Sequence, residues 1–239
     1  MKLLNQLKLS DLILWLFQLV PPYVVHNFGK ANCLRMAFYH ANLDSIPGCY
    51  AEFGVASGNS LRSAEIAERK SHSRMLGIEK VSRNLYGFDT FEGFASLATE
   101  DQHKVWNGTG FSFDFSKVQK RFQKNRDRVN IYKMNMSLLE SDSINLDLFI
   151  KDDYITIALF DMDLGDPTFK TLKWIRPKLK SGTILIFDEF FGFKGDPNRG
   201  ESKALSDFLR IYPEILTREL YRYGDGGVGF QITVQDKSI

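Results

Sequence analysis

Two short stretches, Ile155–Phe160 and Thr183–Phe187, are almost continuously apolar, and each ends in acid: Asp161-Met-Asp163 after the first, Asp188–Glu189 after the second. A strand with one wet face alternates apolar and polar residues. A parallel strand covered by helices on both faces does not alternate. The two stretches therefore point to a parallel sheet buried on both sides, with carboxylates at the ends of neighbouring strands.

The rest of the chain supplies the matching elements. Helix Asn32–Leu43 leads through Ile46-Pro47-Gly48 into a first strand, Cys49–Val55, and then into a helix, Ser57–Arg69. The weak apolar run Met75–Ile78 is read as an extension of that helix. Strand two is Leu85–Phe88, strand three Val129–Lys133, strand four Ile155–Phe160 and strand five Thr183–Phe187. Pro167 suits the first turn of helix Thr168–Ile175, where a missing N–H costs nothing. A helix near Glu201–Ile211 precedes two closing strands, Ile215–Tyr221 and Gly229–Val234, around the turn Tyr223–Gly227. This βαβ alternation predicts an α/β fold of Rossmann-like type: a mostly parallel seven-stranded sheet, helices on both faces and a C-terminal antiparallel hairpin. An antiparallel strand inserted beside strand five would separate it from the dehydrogenase arrangement.

Size and charge narrow the class. The 239 residues suit one large domain, read as an N-terminal helical segment, 1–45, and a catalytic domain, 46–239. Thirty-one basic against 29 acidic residues leave a net charge of +2, which gives no electrostatic footprint for nucleic acid. The basic run Lys117–Arg128 alternates with Phe115, Val118, Phe122 and Val129, as an amphipathic helix does. Two isolated cysteines, Cys33 and Cys49, offer neither a disulfide framework nor a zinc spacing, so a reducing cytoplasm is the expected setting. The run Leu12–Val20 is apolar, ends at Pro21–Pro22 and is shorter than the roughly 20 residues that span a bilayer. It is expected to pack on the domain or on a second copy in a homo-oligomer, with peripheral membrane contact as the alternative.

The loop after strand one marks a ligand edge. Gly54, Ala56 and Gly58 let the backbone approach a nucleotide-shaped ligand, with Ser57, Asn59 and Ser60 as polar contacts at the helix start. Glu52 is placed to orient loop amides or meet a cationic group. Asp89 closes strand two, where a carboxylate can accept both hydrogen bonds of a ribose diol. Asn135, Met136 and Ser137 follow strand three and can border an adenine; core and capping roles are the plain alternative. At the acidic edge, Asp161, Asp188 and Glu189 form a candidate Mg²⁺ set, since clustered carboxylates repel unless a cation or proton compensates. Asp163 and Asp166 stand in reserve, and Asp163 is otherwise a cap for the Pro167 helix or a substrate ligand. Among four histidines, His26, His40 and His72 read as peripheral. His103, in the long polar segment Ala98–Asp114, is the candidate general base, with Trp106 and Phe111 as packing surfaces for an acceptor.

The segments Glu52–Ser60 (EFGVASGNS), Gly87–Phe94 (GFDTFEGF), Phe160–Thr168 (FDMDLGDPT), Gly182–Phe190 (GTILIFDEF) and Glu201–Phe208 (ESKALSDF) resemble class I S-adenosylmethionine-dependent methyltransferases. More narrowly they are similar to the macrocin O-methyltransferase group, whose characterised members methylate sugar hydroxyls on natural products. The resemblance implies that Glu52, Gly54 and Gly58 shape the methionine side of the cofactor pocket, that Asp89 binds the ribose, and that Asp161 with Asp188–Glu189 holds magnesium. The motif DMDLGDP departs from relatives that carry a tyrosine and serines after the leucine. Leu164 stands where catechol-type enzymes carry a lysine, so that base is not implied. The expected activity is O-methylation of a small-molecule hydroxyl, on a sugar or glycosylated natural product, by an in-line attack on a sulfonium methyl, Mg²⁺-assisted through Asp161. The rival readings are an NAD-dependent oxidoreductase, whose G-x-G-x-x-G fingerprint Gly54-Val-Ala-Ser-Gly58 does not match, and a non-catalytic methyltransferase-like interaction protein.

Overall fold

The computed structural model describes residues 2–72, 77–79, 81–94, 101–106, 108, 110–139 and 144–235. Its elements run α1 (Lys2–Gln18), α2 (Pro22–Leu43), β1 (Cys49–Phe53), α3 (Asn59–Lys70), β2 (Leu85–Asp89), α4 (Phe115–Arg121), β3 (Val129–Lys133), β4 (Ile155–Phe160), α5 (Gly165–Ile175), β5 (Ile184–Phe187), α6 (Gly200–Ile211), β6 (Ile215–Tyr223) and β7 (Gly227–Val234). The seven strands form one sheet in the order β3-β2-β1-β4-β5-β7-β6. Strands β1 to β5 pair in parallel, and β7 lies antiparallel between β5 and β6. The expected sheet and hairpin are thus present, including the inserted antiparallel strand that a dehydrogenase sheet of order 3-2-1-4-5-6 lacks.

Strands β1, β4 and β5 are buried along their whole length. On one face their side chains join Leu172, Trp174 and Ile175 of α5 and Leu205 and Phe208 of α6. On the other they join Leu34, Ala37 and Phe38 of α2 and Leu61 and Ala64 of α3. The register aligns Phe88, Phe53, Phe160 and Phe187 across four adjacent strands. Neighbouring rings stack with centroids 4.9–5.4 Å apart, within the range for offset aromatic pairs. Each phenylalanine is the last or next-to-last residue of its strand. The next residues, Asp89, Gly54, Asp161 and Asp188, therefore share one rim above this aromatic floor.

Several boundaries shift for physical reasons. β1 stops at Phe53 because Gly54 turns to φ +98°, a conformation that leaves the strand. The Lys117–Arg128 helix is shorter than expected: α4 ends at Arg121 and a 3₁₀ turn, Gln123–Asn125, follows. α3 ends at Lys70, and of the proposed extension Met75–Ile78 the first two residues lie outside the described residues. Asp163 does not cap α5. Asp101 does so, accepting from the amides of Gly165 at 2.7 Å and Asp166 at 3.0 Å.

The largest difference lies at the N-terminus. α2 starts ten residues before the expected Asn32, with Pro22 at its first position. Its stripe His26, Lys30, Cys33, Leu34, Ala37, Phe38 and Ala41 is buried on the sheet, so the 1–45 segment is in good part core. The run Leu12–Val20 does not pack on its own domain. Leu12, Ile13, Leu14, Trp15, Leu16, Phe17 and Leu19 are each between 49% and 61% exposed, around the whole helix circumference. No single described helix is long and apolar enough to cross a membrane; Leu9–Gln18 and α2 reach that length only together, across a 94° bend.

Candidate active site

One open cavity of about 710 Å³ lies over the carboxyl ends of β1, β2, β4 and β5. Its wall includes Gly54–Ser57, Asn59, Ser60, Asp89, Met134–Ser137, Asp161–Leu164, Asp188 and Glu189. The glycine loop and both acidic tips thus face the same space. α2 adds Tyr23, His26 and Lys30, and the segment between β2 and β3 adds Phe94, Trp106 and Phe111.

The loop is built tightly enough to dictate its residues. A Cβ on Gly54 would lie 1.9 Å from the Asp161 carbonyl oxygen, so β1 and β4 can meet here only through glycine. Gly58 stands at φ +81° as the left-handed residue before α3. Ala56 is also left-handed, at φ +48°, and its amide donates to Asp89 Oδ2 at 2.8 Å. The other Asp89 oxygen accepts from the Phe91 amide at 2.6 Å. Asp89 therefore fastens the two loops together, and each oxygen keeps a lone pair for a diol. Glu52 is buried and is not part of the wall. It accepts from Tyr50 Oη and Ser60 Oγ, both at 2.6 Å, and so orients Ser60, which is. Burial pushes Glu52 up to about 8, against the pull of those two hydrogen bonds. Asn135 accepts from the Ser137 amide at 2.9 Å, which fixes that turn beside the cavity.

The acidic rim carries its own cations. Lys30 Nζ lies 2.7 Å from Asp161 Oδ2 and 2.6 Å from Asp188 Oδ2, bridging the tips of β4 and β5. The second Asp188 oxygen accepts from His26 Nε2 at 3.0 Å and Tyr223 Oη at 2.7 Å. Although burial opposes it, Lys30 and His26 hold Asp188 well below the usual carboxylate range. Burial and the Asp188 charge push Asp161 up to about 7 in spite of Lys30. Burial, with Asp188 second, likewise lifts Glu189 to about 7. Asp163 rises well above its ordinary value, mainly through burial.

Of the residues expected from sequence, Gly54, Ala56, Asn59, Ser60, Asp89, Asn135, Ser137, Asp161, Asp188 and Glu189 line the cavity; Glu52, Gly58 and His103 do not. His103 stacks on Trp106 with centroids 3.8 Å apart and touches Phe193, and its Nδ1 accepts from the Val105 amide at 3.2 Å. It backs a wall residue instead of facing the ligand space. His26 is not peripheral: it is buried between Asp188 and Asp225. Sequence reading missed His26, Lys30 and Tyr223. A signal was there, since positions 26, 30, 33, 34, 37, 38 and 41 repeat at helical spacing, but it emerges only if the helix starts at Pro22.

Of the three carboxylates expected to hold Mg²⁺, two, Asp161 and Asp188, already share a cation of the chain. The Lys30 ammonium already occupies the space between Asp161 and Asp188 at hydrogen-bond distance from both. Among the described residues, the group with metal-ligand spacing is His26, Glu189 and Asp225, and His26 Nδ1 is hydrogen-bonded there to Asp225 at 2.5 Å.

Neither protein-family models nor curated proteins match the sequence. Solved structures do. CalS11, a calicheamicin methyltransferase, is similar with a TM-score of 0.63 at 20% identity, over 84% of this chain and 77% of that one. The O-methyltransferase NovP is similar with a TM-score of 0.64 at 17% identity, over 86% and 80%. An apo structure of CalS11, described as a TDP-rhamnose 3'-O-methyltransferase, gives 0.54 at 23% identity, over 82% and 76%. Together with the strand order, these likenesses establish a class I methyltransferase fold.

Proposed function

We propose that the protein is an S-adenosylmethionine-dependent O-methyltransferase acting on a hydroxyl of a small molecule. The observation that carries this is the single cavity in which a glycine loop, a diol-binding carboxylate and an acidic rim converge. Its volume suits a nucleoside cofactor with an acceptor beside it. Bound S-adenosylmethionine supplies an activated sulfonium methyl group. The chain's part is to position and deprotonate. Asp89 takes the ribose hydroxyls, Ser57, Asn59 and Ser60 line the methionine side, and Asn135 and Ser137 border the adenine. Asp161, held near pKa 7, receives the acceptor's proton as oxygen takes the methyl group. Lys30 and His26 supply positive charge to the rim from within the chain, and His103 supports Trp106 in place of acting as base.

A sugar or glycosylated natural product is the favoured acceptor class, on the motif resemblance and on the likeness to CalS11, described as a TDP-rhamnose 3'-O-methyltransferase. Trp106 and Phe111 offer flat apolar surfaces for a sugar ring. The exposed apolar run Leu12–Leu19 is the face through which a homo-oligomer would form. Calorimetric titration with S-adenosylhomocysteine and with NADH tests the reading. Binding of the first and not the second is expected; the reverse result refutes it. Tight cofactor binding without turnover on any hydroxyl acceptor would instead mark a non-catalytic relative.

A further inference from the structure

We propose that Lys30 is the resident cation of the acidic rim: its ammonium occupies the place a divalent metal would take between Asp161 and Asp188 and makes the site metal-independent. The proposal deepens the methyltransferase reading and rests on it only for the nature of the acceptor.

The geometry is that of a bridging ion. One nitrogen contacts one oxygen from each strand tip, at 2.7 and 2.6 Å. A hard divalent cation bridging the same oxygens would sit in the same gap at slightly shorter distances. The ammonium is held there by more than its own charge. Its stem is buried, with a side-chain exposure of 9%, and it springs from the middle of a helix packed on the sheet. Gly29, its neighbour, brings α2 so close to the β6–β7 turn that an added Cβ would stand 2.9 Å from the Gly224 nitrogen. Backbone packing therefore sets how far Lys30 reaches.

The partners are also complete on the far side. Asp188 Oδ1 is taken by His26 and Tyr223, so this carboxylate already accepts from three side chains. A metal entering the bridge would have to expel Lys30 and leave a buried ammonium without its counter-ions, which is strongly unfavourable. A fixed positive charge in the gap also repels an incoming dication. Lys30 spends two of its three N–H donors on the aspartates and also lines the cavity. The third donor can hydrogen-bond the acceptor oxygen, so the hydroxyl is oriented by an N–H group where a metal enzyme would use a Lewis acid.

Mn²⁺ titration of chelator-treated protein, followed by calorimetry and by the spin-resonance signal of free Mn²⁺, tests this without reference to turnover. The wild type is expected to show no Mn²⁺ site that Asp161→Asn abolishes. Lys30→Ala empties the gap and is expected to acquire one, at least about tenfold tighter than anything Asp161-dependent in the wild type, and lost again in Lys30→Ala/Asp161→Asn. A wild-type site abolished by Asp161→Asn overturns the proposal, as does a folded Lys30→Ala protein that gains no site. Lys30→Met serves if the alanine variant does not fold, and the wild-type arm decides the matter if neither does. S-adenosylhomocysteine binding, measured on the same samples, reports separately on the methyltransferase reading.

Discussion

Replacing His26 with Asn removes a cation that Asp188 holds in place, and the cost should depend on pH in a calculable way. The Asp188 hydrogen bond comes first among the causes that raise His26 from 6.5 to about 9; burial and the nearby Lys30 work against it, and Asp225 adds a smaller contribution. At about 1.4 kcal/mol per tenfold change in proton affinity, this amounts to on the order of 3 kcal/mol. The sign follows from which state holds the proton more tightly. The folded chain does, so the stabilisation is complete below pH 6.5, declines as pH rises, and is lost above about 9. Urea unfolding of wild type and His26→Asn, at intervals from pH 6 to 10, measures it. The gap between the two proteins should be widest at pH 6 and narrow by roughly 3 kcal/mol by pH 10. Glu52 and Glu189, raised to about 8 and about 7, tilt both curves downward through neutrality, so the difference is the quantity to read. A gap that stays constant across the range would falsify the assignment of a charged His26.

Gly54→Ala should cost on the order of 4 kcal/mol or prevent folding, because the new methyl meets the Asp161 carbonyl at 1.9 Å; thermal unfolding of the variant checks this. Asp89→Asn cannot accept on both sides, so S-adenosylhomocysteine affinity should fall by about tenfold to a hundredfold in calorimetry, about 1.4–3 kcal/mol. Asp161→Asn should lower methyl transfer by about a hundredfold or more while cofactor affinity changes by less than about threefold; wild-type turnover in that variant would remove Asp161 from the chemistry. Deleting residues 1–18 should leave the urea midpoint of the monomer within the equivalent of about 0.5 kcal/mol, since Leu9 and Leu12–Phe17, the apolar side chains described in α1, are each about half exposed or more.

The sheet was readable because burial on both faces removes the polar half of a strand's pattern. Ile155–Phe160 and Ile184–Phe187 are fully buried, as their composition required. The hairpin was readable from the glycines around Gly224–Gly227, though its strands reach further than expected: β6 runs to Tyr223 and β7 starts at Gly227. What periodicity could not supply was the path of long-range capping. Asp101, from a polar segment far along the chain, closes the first turn of α5 in place of the nearby Asp163. The fate of α1 was equally hidden, because an apolar run states that it must be covered and says nothing about by what.

The same limit explains how the rim could be read half correctly. Each acid was visible as the residue after an apolar strand, and the register of four phenylalanines made those acids neighbours. Clustered carboxylates need positive charge, and from strand tips alone a metal ion is the natural supplier. The ammonium and imidazolium that supply it come from α2, more than 130 residues away from Asp161 and 150 from Asp188, on a helix whose first ten residues did not look helical in sequence. A lysine and a histidine on a stripe of otherwise apolar residues are expensive to bury unless something acidic waits for them. Read in that direction, His26 and Lys30 predict the acids as firmly as the acids predict a cation, and the pairing binds the N-terminal helix to the acidic edge of the sheet.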